Sequence, residues 1–365
     1  MKIATIKASV HRFKTQLPLR EPAMGSSRIY CEITLQDGRT GFGMTAKFMP
    51  HAIVTAVEQH LAPAIVGMDI RDMAKIRVRL EKIMTERGRM SGINLNALSC
   101  IDLALWDLNG QLQDRSVSRM LGGFRDRIPV YMTYGFGTYT TEELIEVGKQ
   151  LVGKGHRNLK VLVGTAKEGW REDVARVQAV REALGGKIGL SIDANESLPL
   201  VDAIKLARAL EDSDIDWFED PIHNMDARGL AKLRSMTSIP LSGGQMDGHS
   251  NRFREWIEHD SLDIFMPNSL HNGGMTETQK VAHLAQIYDK PLSDAGGGGL
   301  YSVHHVAGFS NGTMAECHLQ VEGVEKQMFI GAPEPSDGMI DVPPGPGFGL
   351  KINHDALKES LVLPD

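Results

Sequence analysis

The sequence predicts an α/β protein whose centre is a (β/α)7β barrel of the TIM type, preceded by an α+β capping domain. The main observation is a regular alternation, from Ile128 onward, of eight short apolar runs with amphipathic helical segments. Successive runs end 22 to 31 residues apart, which is the length of one strand–helix unit. No GxGxxG pattern follows the first run, which favours a closed parallel barrel over an open doubly wound sheet. The runs end at Gly135, Leu162, Asp193, Glu219, Gln245, Asn268, Asp294 and Glu316.

The change in pattern near residue 126 divides the chain into three parts. We predict an α+β capping domain over residues 1–125, the barrel over residues 126–345, and a final segment, residues 346–365, that returns to the capping domain. In the first part, Asp37 and Gly38 mark a hairpin turn between two strands. Apolar residues then recur at helical spacing, which predicts a helix that buries one long stripe. The stripe consists of Ile101, Leu105, Leu108 and Leu112.

The first helix of the barrel has start and stop signals of its own. Thr140 and Glu143 have the spacing of a capping box, and Gly155 follows as a stop signal. The pattern therefore predicts a helix over residues 141–154.

Length, charge and cysteine content exclude several classes of protein. With 365 residues the chain is long enough for a barrel and a second domain. A formal net charge of −6 provides no basic field for nucleic acid. No apolar run approaches the roughly 18 residues of a membrane span, and the charged N-terminus is unlike a secretory signal, so we expect a cytoplasmic protein without a membrane partner. The three scattered cysteines are expected to be small buried apolar residues, and a symmetric homo-oligomer is expected by default.

Polar residues end three consecutive barrel strands. Asp193, Glu219 and Gln245 are each separated by 26 residues, so each lies one strand–helix unit further around the rim. Because barrel chemistry takes place at the carboxyl ends of the strands, these side chains are expected to converge. Oxygen donors of this kind suit Mg²⁺ better than zinc. A single acid after a strand is more often a helix cap, and the amide of Gln245 weakens the ligand set, so Asp247 is kept as a substitute ligand.

Several motifs together resemble a known family. They are the block IDLALWDLNGQLQDRSVSRMLGG, the strand-end signatures DANE, WFEDP and IPLSGG, and the later GGMTE. They resemble the mandelate racemase and muconate lactonizing enzymes of the enolase superfamily over nearly the whole chain. The resemblance implies that Asp193, Glu219 and the residue at 245 bind Mg²⁺, which holds the carboxylate of a small substrate while a base removes its α-proton.

The residues that supply acid and base in that family are largely replaced. The second strand of the family ends in Lys-x-Lys, and here Lys160 is kept while Leu162 replaces the second lysine. The position of the family's His at the seventh strand corresponds to Ala295 or its neighbour, and that of its Asp at the sixth strand corresponds to Asn268. Glu316 matches a residue that donates a proton to the substrate carboxylate in racemase-like members.

Other residues are candidates for the missing roles. Lys160 and Asp294 are the candidate bases beside Glu316, although Asp294 has an equally good interpretation as a turn residue before a glycine run. Arg20 is a candidate for carboxylate binding, although a solvated Arg is as good an interpretation. The residues predicted to contact substrate are Arg20, His51, Tyr134, Asn268 and His271.

Two functions remain open from the sequence. The first is an enzyme that acts on an acid sugar or hydroxy acid by Mg²⁺-assisted α-proton abstraction, as a dehydratase, epimerase or cycloisomerase with non-standard acid and base residues. The second is a catalytically degenerate member of the family that acts as a ligand-binding or regulatory protein. Substitutions at several positions of one pocket are compatible with both.

Overall fold

The structure is a computed structural model, and it describes residues 1–45, 48–85, 92–246 and 248–363. Its first part contains three long strands followed by helices, as an α+β domain requires. A π-helical turn, Ala56–Leu61, joins the first two helices. The elements are β1 (Ile3–Thr15), β2 (Met24–Leu35), β3 (Thr40–Thr45), α1 (Pro50–Thr55), α2 (Ala62–Ile65), α3 (Met73–Thr85), α4 (Ile93–Gln113) and α5 (Val117–Leu121).

The capping sheet is an antiparallel meander. β1 pairs with β2 along nearly its whole length, and β2 pairs with β3. The hairpin predicted at Asp37 and Gly38 is confirmed: the amide of Gly38 donates to the carbonyl of Leu35 at 3.0 Å, and Gly38 has a φ of +88°. That left-handed conformation explains why glycine suits the turn.

Helix α4 is buried far more completely than one stripe would allow. Every residue from Leu95 to Gly110 is buried. The reason is that α4 lies between two layers, with the capping sheet on one side and the barrel on the other. Close approach to β3 depends on small residues, since a Cβ on Gly43 would lie 2.2 Å from the carbonyl oxygen of Cys100. On the barrel side, the indole of Trp106 donates to the hydroxyl of Thr276 at 2.9 Å.

The predicted barrel with its capping domain is confirmed. Parallel pairing runs in sequence order, and the last strand pairs with the first to close the ring. The seventh strand is reduced to Leu292, which forms single bridges to Phe265 and Gly312. One cause is Pro291, which has no N–H to donate. The strands are β4 (Arg127–Gly135), β5 (Asn158–Leu162), β6 (Gly189–Asp193), β7 (Phe218–Glu219), β8 (Leu241–Gly243), β9 (Ile264–Phe265) and β10 (Ala315–His318).

Helices alternate with these strands around the outside of the barrel. The predicted capping box is present at the first of them, where Thr140 and Glu143 each accept from the other's backbone N–H. The three cysteines are buried and unpaired, as predicted. Among the described residues, no helix is long and apolar enough to cross a membrane. The helices are α6 (Thr141–Gly153), α7 (Trp170–Leu184), α8 (Leu200–Ala209), α9 (Ala227–Arg234), α10 (Ser250–Glu258), α11 (Met275–Ile287), α12 (Gly299–Gly308) and α13 (Leu319–Met328).

The C-terminal region crosses both domains. One strand pairs antiparallel with β4 at the start of the barrel, and the final strand pairs with β1, with Val10 opposite Val362. Between them, the amide of Phe348 donates to Asp107 on α4 at 2.9 Å. The elements are β11 (Phe329–Ile330), β12 (Met339–Asp341), β13 (Lys351–Ile352), α14 (His354–Ser360) and β14 (Leu361–Val362).

A buried arginine joins the two domains. Arg77 on α3 is 7% exposed, and its guanidinium donates to the carbonyl of Gly273 at 2.5 Å. It also lies 3.1 Å from Glu277 on α11 and 3.5 Å from Asp102 on α4. Removal of this positive charge would deprive the buried acids Asp102 and Glu277 of a compensating cation.

We therefore expect Arg77→Met to lower the free energy of unfolding by about 3–5 kcal/mol, measured by urea denaturation. Arg71→Met is the matched control, because Arg71 pairs with Asp69 while its side chain is 66% exposed. The control is expected to change stability by no more than about 1 kcal/mol. Equal effects of the two variants would contradict a structural role for the buried network.

His304 on α12 is a buried neutral histidine. Its Nδ1 accepts from the amide of Ser118 at 3.2 Å, and its Nε2 lies 3.0 Å from the carbonyl of Phe348, to which it donates. Burial lowers the pKa of His304 from 6.5 to about 4. Between these values the unfolded chain binds a proton and the folded chain does not, so the folded state loses stability as the pH falls from about 6.5 to about 4.

We predict that His304→Asn reduces this acid sensitivity. The asparagine oxygen still accepts from Ser118, but the group no longer titrates. The loss of unfolding free energy between pH 7.5 and pH 4 should be smaller in the variant by on the order of 3 kcal/mol. Other titrating groups are common to both proteins, so the difference between the two pH profiles isolates His304. Parallel profiles would rule out its contribution.

Candidate active site

A buried lysine ammonium lies at the centre of the barrel mouth. Lys160, on β5, is fully buried, and its Nζ lies 2.6 Å from Glu219, 3.1 Å from Glu316 and 3.3 Å from Asp193. These acids come from three other strands: β7, β10 and β6. Strand register brings Asp193 directly beside Glu219. The ring of Tyr131 lies below, with the ammonium 5.0 Å from its centroid.

The electrostatics of this group follow from burial and charge together. Burial would lower the pKa of Lys160, but the carboxylates around it raise that pKa well above its usual value. Burial would raise the pKa of Glu316, but the Lys160 ammonium and hydrogen bonds from Thr133 and Gly297 lower it overall. Glu316 is therefore held as a carboxylate. Burial and the charge of Asp193 raise the pKa of Glu219. A further positive charge would relieve that repulsion.

Asp220 is a third acid that the sequence analysis did not single out. Strand alternation would turn the residue after Glu219 away from the mouth. However, β7 ends at Glu219, and Asp220 has a φ of +38°, which redirects its side chain. Ligand oxygens of Asp193, Glu219 and Asp220 lie within 4.8 Å of one another. In the sequence, the two consecutive acids of the EDP signature, Glu219 and Asp220, are the signal that could have identified it.

Gln245 lies beside these acids as a hydrogen-bond donor. Its Nε2 lies 2.5 Å from Asp220 and 3.4 Å from Glu219. Rotation of the terminal amide would present its oxygen instead. Asp247, the alternative ligand, lies outside the described residues.

The chemistry of these residues fits a Mg²⁺ ion. Asp193, Glu219 and Asp220 offer carboxylate oxygens, which Mg²⁺ prefers, and the group contains no thiolate or imidazole. Their net charge, after subtraction of the Lys160 ammonium, remains negative when they are ionised. These three acids are therefore the residues that would hold the ion, with Gln245 at its edge.

Asp193, Gln245 and Glu316 line a cavity of 760 Å³ between the barrel and the capping domain. The barrel contributes the polar floor, and β2 of the capping domain contributes part of the roof. The cavity is lined by Ser26, Arg28, Phe48, Thr133, Phe136, Leu162, Asp193, Asn195, Glu196, Gln245, Met246, Leu270, His271, Gly296, Gly297, Glu316, His318, Gln320 and Val321. A space of this size accommodates a small organic acid.

The positions of the family's bases have structural roles here. Asn268 is fully buried; its amide donates to the carbonyl of Ala295 at 2.7 Å and its oxygen accepts from the amide of Leu270 at 2.9 Å. It therefore holds two loops together without lining the cavity. Ala295 packs with Tyr131, Trp217 and Met266 in the barrel interior. Leu162 is an apolar part of the cavity wall.

Asp294 and Tyr134 lie away from the cavity. Asp294 is fully buried, and one of its carboxylate oxygens accepts from the backbone amide of Glu316 at 2.8 Å. It therefore occupies the place of a backbone acceptor where the seventh strand is incomplete. Tyr134 follows the inward-facing Thr133, so alternation turns it outward. Its hydroxyl lies close to Gly148 on α6, where an added Cβ would be 2.8 Å away.

Arg20 and His51 also lie outside the cavity lining. The guanidinium of Arg20 pairs with Glu143 at 2.5 Å and stacks 4.4 Å from the ring centre of Tyr139. It therefore fastens the loop after β1 to the start of α6. His51 is exposed on α1, and its carbonyl accepts from the hydroxyl of Thr55 at 2.9 Å.

Of the five residues predicted to contact substrate, His271 lies in the cavity wall. Its Nδ1 lies 3.2 Å from Oδ1 of Asn96 on α4. Because an amide oxygen only accepts, this contact is a hydrogen bond in the tautomer whose Nδ1 carries the proton, and in that tautomer Nε2 is the basic nitrogen. The loop is also held by Ser99, whose hydroxyl accepts from the amide of Gly273 at 2.9 Å.

Arg28 and His318 line the cavity but were not predicted from the sequence. Arg28 lies on β2, two residues from Ser26, and no motif distinguishes it from a surface arginine. His318 ends β10 two residues after Glu316, so alternation places both on the same face. Its Nδ1 accepts from the amide of Gln320 at 3.2 Å. Extending the eighth strand by two residues would have found it.

A closed barrel with acids at consecutive strand ends and a capping domain over them defines a member of the enolase superfamily. The family models agree with this architecture. Residues 9–122 match the mandelate racemase/muconate lactonizing enzyme N-terminal domain, and residues 143–356 match the enolase C-terminal domain-like model. The chain belongs to the mandelate racemase and muconate lactonizing enzyme family.

Characterised relatives are enzymes of sugar-acid metabolism. D-galactarolactone cycloisomerase of Agrobacterium fabrum is 29% identical, with 100% of both chains covered. Arabinonate dehydratase of Saccharolobus solfataricus is 27% identical over 90% of this chain and 89% of the relative. The crystal structure of a racemase from Streptomyces coelicolor A3(2) with bound magnesium has a TM-score of 0.90 at 28% identity, covering 99% of this chain and 100% of that one.

The position of Gln245 leads to a prediction about metal affinity. Replacing its amide with a carboxylate in Gln245→Glu adds negative charge beside Asp220, so Mg²⁺ should bind about tenfold more tightly or better. Without the metal, the added repulsion should lower the melting temperature. Isothermal titration calorimetry and thermal denaturation measure the two effects.

Gln320→Glu is the matched control for this prediction. Gln320 lines the same cavity, but within the described chain its side chain has no hydrogen bond to the three acids. The control should change Mg²⁺ affinity much less. Unchanged affinity in Gln245→Glu would remove residue 245 from the metal site.

Proposed function

We propose that the protein is a sugar-acid dehydratase or cycloisomerase that works by β-elimination. The single observation that supports this most strongly is the acid group Asp193, Glu219 and Asp220 at the carboxyl ends of the strands, with Asp193 in the cavity wall. The relatives named above, a cycloisomerase and a dehydratase, support the same kind of reaction.

In the proposed reaction a base removes the α-proton of the acid, and the bond from the β-carbon to oxygen breaks. The electrons of the C–H bond form the new double bond, and the departing oxygen takes a proton. That oxygen leaves as water in a dehydration, or stays attached elsewhere in the molecule in a cycloisomerisation. A Mg²⁺ ion bound by the acids would supply positive charge beside the substrate carboxylate and so make the α-proton more acidic.

Lys160 is proposed to organise the site rather than to act as the base. Its ammonium is surrounded by carboxylates, which favour the protonated form. In that form it holds the oxygens of Glu219 and Glu316 in fixed directions. Glu316 likewise acts as a fixed negative wall, because its carboxylate already accepts from Thr133 and Gly297.

His271 is proposed as the base. It lies in the cavity wall, and its Nδ1 contact with Asn96 is a hydrogen bond in the tautomer whose Nε2 can accept a proton. After it takes the α-proton, the same imidazolium can return a proton to the departing oxygen. The proton taken from the α-carbon is thus returned to the departing oxygen. No acid or base is needed at the positions of Leu162 and Ala295.

Two contacts favour a second candidate, a ligand-binding protein without elimination chemistry. The Lys160 ammonium already neutralises part of the acid group, and the Gln245 amide donates to Asp220. These contacts would stabilise the acids without a metal. In that case the cavity binds a small acid and releases it unchanged.

The test is incubation with Mg²⁺ and a panel of sugar acids and lactones in D₂O, followed by NMR. We expect at least one compound to exchange its α-proton or to give a 2-keto-3-deoxy acid or a ring-opened isomer. His271→Asn should lower kcat by about 100-fold or more, because general-base catalysis contributes about 10²–10⁴-fold. Asp193→Asn should weaken Mg²⁺ binding as well.

His51→Asn is the matched control, since His51 is exposed outside the cavity, and its activity should equal that of the original protein. Activity retained in His271→Asn would transfer the role of the base to another residue. If no compound exchanges or reacts but some raise the melting temperature, the binding function replaces the catalytic one.

A further inference from the structure

The roof of the cavity contains a cationic side chain that the proposed reaction does not use. We propose that Arg28 and Ser26 form a subsite for a second carboxylate, so that the substrate is a sugar diacid or its lactone. This proposal rests on the proposed function and specifies its substrate class.

The first support is the geometry of Arg28. It is 7% exposed, and alternation along β2 places it on the same face of the strand as Ser26. Its Nη1 donates to the hydroxyl of Ser26 at 3.0 Å and to the carbonyl of Ser27 at 2.9 Å. In the described part of the chain, Nε and Nη2 have no hydrogen-bond partner. A guanidinium anchored at one nitrogen has its other donors available to a ligand.

The second support is the charge around it. Within the described residues, no carboxylate lies within 4.0 Å of Arg28, although buried arginines are normally paired. Burial lowers the pKa of Arg28, which means that the charge is poorly compensated. The acid that affects it most is Glu325 on α13, whose Oε1 accepts from the amide of Leu300 at 2.8 Å.

The third support is the distribution of charge along the cavity. Asp193, Glu196 and Glu316 line the barrel side of the cavity, and Arg28 is the one Arg or Lys among the described residues that line it. A molecule with a carboxylate at each end matches this arrangement, with one end at the metal-binding acids and the other at the guanidinium. A single guanidinium matches the single charge of a carboxylate better than a phosphate dianion, and its planar donors suit carboxylate geometry.

The test compares two acids that differ only at the far end of the chain. Galactarate carries a second carboxylate where galactonate carries a CH₂OH group. We expect the original protein to prefer galactarate in kcat/KM. Arg28→Met should lower kcat/KM for galactarate by about 100-fold, because one buried partner of a charge pair is removed. For galactonate the change should be less than about threefold, and Arg28→Lys should be intermediate for galactarate.

Arg12→Met is the matched control, because Arg12 is an exposed arginine on the neighbouring strand β1. It should leave both substrates unaffected. Equal losses for both acids in Arg28→Met and Arg28→Lys would show a structural role and overturn the subsite, as would an original protein that prefers galactonate. Phosphorylated galactonate that outcompetes galactarate would overturn the carboxylate assignment.

Binding measurements separate this proposal from the proposed function. If the original protein turns over neither acid, calorimetric titration with galactarate still tests the subsite. Binding that is lost in Arg28→Met and kept in Arg12→Met would support the subsite while the catalytic proposal fails. Absence of galactarate binding to the original protein would overturn the subsite.

Discussion

The ion-pair group around Lys160 is the interaction on which the site depends. A fully buried ammonium is costly to desolvate unless close charges and hydrogen bonds compensate it. Lys160 meets this condition through acids from three other strands. The same contacts set the directions of Asp193, Glu219 and Glu316, because each acid points to one common cation. The geometry of the mouth is therefore a consequence of charge pairing as much as of strand register.

This arrangement also explains why changes elsewhere in the site leave the fold intact. Asn268 keeps two loops together through its amide, and Ala295 completes the apolar interior below the site. Those positions contribute structure without carrying a proton. In the proposed reaction, proton transfer is assigned to the cavity wall, where Nδ1 of His271 contacts Asn96.

The sequence predicted the barrel because its signal is periodic: strand–helix units repeat at a nearly constant length. It also placed Asp193 and Glu219, since both end a strand whose direction is unambiguous. Asp220 was missed because a left-handed φ of +38° breaks the alternation on which the prediction rests. Tyr134 was assigned to the site although the same alternation turns it outward. The apolar run before Asp294 predicts a full strand with Asp294 at its end, whereas in the structure the Asp294 carboxylate substitutes for a missing backbone acceptor.

The capping domain supplies what the barrel lacks. The barrel floor is acidic, whereas β2 brings a buried guanidinium and α4 orients His271 through Asn96. Neither contribution can be recognised from strand-end motifs, because both depend on how the domains pack. Arg77 lies in that same interface, with contacts to α4 and to the barrel loop at Gly273. The contacts that dock the two domains therefore also set the positions of the proposed base and of the proposed Arg28 subsite. Stability of the domain interface and specificity of the cavity are linked in this way.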